Sequence, residues 1–207
     1  MHITKIERFS EGELLARLRK VSLFTDAGVY PYTDAFISLE RISTGCLVPP
    51  QYYVCSAILK EVRELKWALQ AEGVDMFNLE GYVKMWIEGE AAPIDLLPII
   101  VEESIERDGS VVNIVNDGMH RCYTARLDWV IPQVVFVRGL PKGLPYYAYP
   151  IPGGWDKVAI VDSLSEDFIK KWHRIKNYKS LYRNFNSAFD NVGKPRGTDC
   201  SDRKSGG

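Results

Sequence analysis

Asp117, Gly118, His120 and Arg121 fall within five consecutive residues, in the stretch NDGMHRC that follows the apolar run SVVNIV. These residue types at this spacing suit an anion. An aspartate can cap a helix, and a glycine lets a ligand pass close to the backbone. The next residues, Met119, His120 and Arg121, then occupy the first helical turn, where N–H groups lack intrahelical acceptors and the macrodipole favours negative charge. Arg121 can add paired hydrogen bonds to a phosphate and His120 a further donor. The chemistry expected of Gly118, Met119, His120 and Arg121 is therefore phosphate binding. The plain alternative is a capped turn without a ligand.

That turn needs a buried strand before it and a helix after it. Residues 110–116 have the bulky apolar character of a central strand, and a helix is expected from Gly118 to about Trp129. DLLPIIVEES (95–104) reads as a strand joined to 110–116 through an Asp-Gly hairpin signal, and IPQVVFVRGL (131–140) as a third strand. AFISLERI (35–42) reads as a strand as well. SEGE at Ser10 to Glu13 has capping-box spacing and predicts a short helix after it. Val54, Ile58, Val62, Leu65 and Leu69 predict a helix over 51–71, with Gly73 as its stop. A shorter helix or helix–turn is expected over 75–90, and another over 163–175, capped by Ser163 or Ser165.

The expected architecture is α+β, a small mixed sheet with surrounding helices. Its divisions are an N-terminal helical lead (1–34), a core (35–140), an aromatic and basic C-terminal helical extension (141–192) and a disordered polar tail (193–207). The 207 residues suit one domain with an appendage. Four cysteines without a CxxC pair point to free thiols rather than zinc or a disulfide framework. With no signal-peptide pattern and no run of ~18 apolar residues, a cytoplasmic protein without a membrane span is expected. The net charge of −1 conceals two halves: ten basic and three acidic residues from Lys170 onward, against 16 and 24 before it. Lys170, Lys171, Arg174, Lys179 and Arg183, interleaved with aromatic rings, are candidate contacts to a polyanion such as nucleic acid. One buried helical face with a solvated basic side is the competing reading. Glu88 and Glu90, just before the strand at 95, are candidate magnesium ligands, with a solvated acidic loop as the alternative.

NDGMHRCYTARL, preceded by PIDLLPIIVEES and VVNIV and followed by IPQVVFV, resembles the ParB/sulfiredoxin superfamily over about residues 93–140, with residues 37–42 as the family's first strand. The resemblance implies a nucleotide site in which Asp117, Gly118, His120 and Arg121 hold the phosphates of ATP or another triphosphate, with Mg2+. Met119 stands where sulfiredoxin has its cysteine, and a thioether cannot act as that thiolate, so sulfinic-acid reduction is not implied. No helix-turn-helix pattern follows, unlike the chromosome-partitioning members. The Asp-Gly-x-His-Arg form is closer to the superfamily's free serine kinases, which implies hydrolysis of the triphosphate or phosphotransfer to a small hydroxyl acceptor, with Glu40 as general base and Asp117 and His120 as further catalytic groups. The alternatives are a ParB-like nucleic-acid-binding or nuclease module, and a nucleotide sensor without turnover. The acceptor and the oligomeric state are not legible.

Overall fold

The computed structural model describes residues 1–164 and 168–192. The expected tail at 193–207, and Ser165 as a cap, lie outside the described residues. Strand β1 (Ile3–Ser10) runs directly into helix α1 (Glu11–Leu18). The expected capping box forms there: the Glu13 N–H donates to Ser10 Oγ at 3.4 Å, and the Ser10 N–H donates to Glu13 Oε2 at 2.8 Å. That backbone bond, reinforced by the Ser10 hydroxyl, holds the Glu13 carboxyl below its ordinary range.

The main sheet contains β3 (Phe36–Arg41), β7 (Ile99–Ile105), β8 (Val111–Asp117) and β9 (Gln133–Arg138), in the order β3-β9-β7-β8. β7 pairs antiparallel with β8 and parallel with β9, and β3 closes the other edge antiparallel to β9. β9 reads as an unbroken apolar run because both of its faces are covered. Val134 and Phe136 enter one core with Met119, Cys122 and Trp155, whereas Val135 and Val137 enter the opposite core with Leu14, Leu18 and Phe185. The hairpin between β7 and β8 turns at Asp108-Gly109, as expected, with Asp108 Oδ1 accepting from the Ser110 N–H at 2.9 Å.

Two expected helices are not present as such among the described residues. Within 75–90 the chain forms strand β5 (Gly81–Ile87), which pairs along the whole of β1 from Ser10↔Gly81 to Ile3↔Ile87. That partner is some seventy residues distant, so a local periodicity could not reveal it. β6 (Ile94–Leu96) completes this second sheet. The N-terminal lead is accordingly a strand and a helix rather than helical alone. The expected helix over 51–71 begins later: Tyr53–Cys55 form β4, and α2 spans Ser56–Ala71 with Leu59, Val62 and Leu69 buried. β4 is paired parallel to β10 (Ala159–Val161).

Within 168–175 the described chain forms no helix, and His173 makes an isolated antiparallel bridge to Ala148. The Tyr149 N–H donates to the Trp172 carbonyl at 2.8 Å and the Arg174 N–H to that of Tyr147 at 3.0 Å. These cross-chain bonds replace the helical ladder. The extension therefore carries short 3-10 turns, among them Tyr178–Leu181 and Phe185–Ser187, and a two-residue strand β11 (Arg183–Asn184) against β2 (Ser22–Leu23). Among the described residues Cys46 is an exposed free thiol and Cys122 a buried one. Among the described residues no helix is long and apolar enough to cross a membrane.

Candidate functional site

Helix α3 (Met119–Leu127) follows β8 after one residue, Gly118, at φ 82° and ψ 28°. This is the left-handed region, where a side chain is strained. Gly118 rather than Asp117 is the N-cap, and no side chain caps the helix. The expected Asp117 cap is lost because the chain is still extended at Asp117, which pairs with Ile100 as the last residue of β8. A register shift on the way gives β8 one extra residue, Asn116, a bulge of the kind that re-aims the side chains next to it.

The Asp117 carboxylate instead meets Arg121, one helical turn on, with Oδ2 accepting from Nη2 at 3.1 Å. Arg121 folds back over the start of its own helix. Its Nη1 donates to the Leu97 carbonyl, at the break between β6 and β7, and a Cβ on Gly118 would come 2.9 Å from Nη2. Burial lowers the guanidinium from its ordinary range, with Asp117 opposing that shift. The turn thus places a desolvated cation beside an uncapped helix N-terminus, and a single carboxylate partly offsets it.

His120 Nε2 accepts from the Cys55 N–H at 3.0 Å, which ties α3 to the start of α2. An accepting Nε2 means that the neutral ring carries its proton on Nδ1. Met119 is a core residue, 9% exposed and packed with Val115 and Phe136, so only its backbone faces the turn chemistry. Cys122 is also buried there, and burial pushes its thiol up to about 12, which makes it inert.

The other expected residues lie elsewhere. Glu40 is level with the motif, since it pairs with Val134, which pairs with Ile99. Three inter-strand steps nevertheless separate it from β8, about 14 Å at the usual strand spacing. Its carboxylate is ion-paired with Arg138 and accepts from Ser38 Oγ at 2.6 Å. Glu88 and Glu90 are exposed at the tip of the β5–β6 hairpin and do not converge with Asp117. Among the described residues no group of three His, Cys, Asp or Glu could hold a metal.

Of the five candidate polyanion contacts, two are turned inward. Arg183 is 2% exposed and forms a two-point pair with Glu102, Nε to Oε1 and Nη2 to Oε2, both at 3.0 Å. Arg174 is spent on Glu106, Ser104 and the Ala148 carbonyl. Lys171 donates to the Tyr147 hydroxyl, Lys170 is half-buried and Lys179 is exposed. Glu102 went unnoticed in the sequence. An acidic residue within a β-strand run was its only signal.

The mixed main sheet with helices packed on it is an α+β fold of the ParB-like kind. The family model of the ParB CE domain matches residues 13–159, and the chain belongs to that family. The match is wider than the resemblance over 93–140, because it takes in most of α1 and reaches the start of β10. No curated protein matches the chain.

Proposed function

We propose that this ParB CE domain binds the phosphates of a nucleoside triphosphate, ATP foremost, at the turn 117–121, and that it hydrolyses the triphosphate or passes its terminal phosphoryl group to a small hydroxyl acceptor. The observation that carries this reading is the uncapped N-terminus of α3 with the Arg121 guanidinium folded across it. Phosphate oxygens would take the N–H groups of Met119, His120 and Arg121 and draw Nη2 away from Asp117. Because His120 Nε2 is engaged by Cys55, His120 acts here as a positioning residue that holds the helix start in place.

Mg2+ fits the donor set only modestly. It commonly uses one or two carboxylates together with substrate phosphates, and Asp117 is the carboxylate on the turn. Held there, the ion would neutralise phosphate charge. In transfer, the acceptor oxygen bonds to the terminal phosphorus as the bridging P–O bond breaks. The nucleoside diphosphate leaves with the electron pair and the acceptor proton passes to water. Glu40, across the sheet and paired with Arg138, has no part in this step.

Thermal unfolding with ATP, CTP, GTP or ADP, each with Mg2+, tests the reading. A nucleotide at one hundred times its Kd should stabilise the native state by about 2.7 kcal/mol. Arg121→Ala should abolish the shift and Arg121→Lys should retain part of it. If no nucleotide raises the midpoint, or if Arg121→Ala leaves the rise intact, the reading fails. Release of inorganic phosphate then separates an enzyme from a nucleotide sensor.

A further inference from the structure

Beyond the family match, the segment 169–178 forms an open groove of about 460 Å³ whose lining contains Lys171, Trp172, His173, Lys176 and Tyr178 and, among the described residues, no carboxylate. Rings are presented in an ordered way. His173 and Tyr178 stack with centroids 3.5 Å apart and planes 4° from parallel. Trp172 is 51% exposed, yet its indole N–H donates to the Tyr52 hydroxyl at 3.0 Å, which fixes its plane. The backbone on both sides of His173 is pinned to residues 147–149, and Arg174 braces the segment on Glu106. The groove is therefore built before any ligand arrives.

From these placements we infer that the groove is a binding site for single-stranded nucleic acid, with unpaired bases stacked on Trp172 and the His173–Tyr178 pair and phosphates held by Lys171, Lys176 and Lys179. Exposed π faces without base-specific donors accept any unpaired base, whereas a duplex hides its base faces. Lys176 and Lys179 are exposed and face the solvent through which a backbone would run. Burial, and then the charge of Lys171, depress the basicity of His173, so at neutral pH its ring serves as a flat neutral surface. An acidic peptide would satisfy the lysines and leave the rings unused.

Fluorescence anisotropy of the full chain with labelled oligothymidine of about ten nucleotides, against a duplex of equal length and polyglutamate, decides the matter. The single strand should bind best, with log affinity falling against log salt at a slope of about −2 for three neutralised phosphates. Trp172→Ala should weaken binding about 5- to 150-fold, and Trp172→Phe much less. Lys176→Ala with Lys179→Ala should flatten the slope by about 1.4. Absence of binding, equal binding of the duplex or of polyglutamate, or full affinity in Trp172→Ala overturns the inference. Should Trp172→Ala fail to fold, the exposed pair Lys176→Glu and Lys179→Glu decides: a loss of about tenfold or more supports the site, and retained affinity overturns it.

Discussion

Arg121 and Arg183 each meet a carboxylate on the β7–β8 hairpin, Asp117 and Glu102, but the two pairs stand in different surroundings. At the turn, the side chains of Arg121 and Asp117 are 12% and 29% exposed and share one bond at 3.1 Å. In the core, Arg183 and Glu102 are 1% and 0% exposed, and their two-point contact is completed by other groups. Tyr32 donates to Glu102 Oε1 at 2.6 Å and Asn116 Nδ2 at 2.5 Å, while Arg183 also donates to the Leu181 and Leu144 carbonyls. Burial, with the charge of Glu102 beside it, keeps the Tyr32 hydroxyl protonated well above its ordinary range. The same ionic chemistry is thus a lock where the buried pair is held by several further hydrogen bonds, and a looser contact where water reaches one partner. The locked pair fastens the C-terminal extension to the sheet; under the proposed reading the open one would trade its carboxylate for a phosphate.

The largest expected effect sharpens that contrast. Glu102→Ala leaves Arg183 charged and buried, and should cost about 3–5 kcal/mol in urea unfolding. Asp117→Asn should cost less than about 1 kcal/mol, because its pair is partly solvated. Similar costs for the two would break the comparison.

Gly118→Ala comes next in size. At φ 82° with Arg121 Nη2 2.9 Å from the new Cβ, it should destabilise the fold by about 1–3 kcal/mol and displace the guanidinium. The same variant should lose any nucleotide-dependent rise in unfolding midpoint. A midpoint that still responds to nucleotide as the unaltered chain does would show that the Arg121 position is irrelevant to the turn.

A third pair, Lys84–Asp190, lies further toward solvent, with Asp190 54% exposed, and should give the smallest effect. The hydrogen bond from Lys84 lowers the Asp190 carboxyl, and the same bond raises the Lys84 ammonium. A lowered carboxyl contributes stability above its unfolded value, about 3.9, and loses it as pH falls through the folded value. A raised ammonium contributes below its unfolded value, about 10.4, and loses it as pH rises through the folded one. Asp190→Asn should therefore differ from the unaltered chain between about pH 4 and 10 and converge with it at both extremes. Urea midpoints across pH, at low and high salt, measure this; a difference that persists in acid would assign the effect to packing instead.

Much of the candidate site was legible because its determinants are local. The Ser10–Glu13 box, the Asp108-Gly109 hairpin and the apolar runs of β8 and β9 depend on neighbours a few residues away, and each formed where its spacing placed it. The helix after Gly118 belongs to the same group, with its cap shifted by one residue. The errors share the opposite cause. β5 is a strand because β1 lies beside it, and residues 172–174 leave the helical ladder because 147–149 offer them hydrogen bonds. Glu40 was rightly placed on a strand, but strand order, which no single strand encodes, set it across the sheet from the motif.

From the residues alone came the α+β class, the strand–turn–helix at Asp117–Arg121 and the positive character of the C-terminal stretch, since backbone preference and charge are properties of short segments. Only the tertiary structure decided which cations reach solvent. Arg183 and Arg174 carry the same charge as Lys176 and Lys179, yet Glu102 and Glu106 draw the first two inward. A buried guanidinium with many donors can be matched by fixed acceptors from distant strands, and those meet only when the chain has folded.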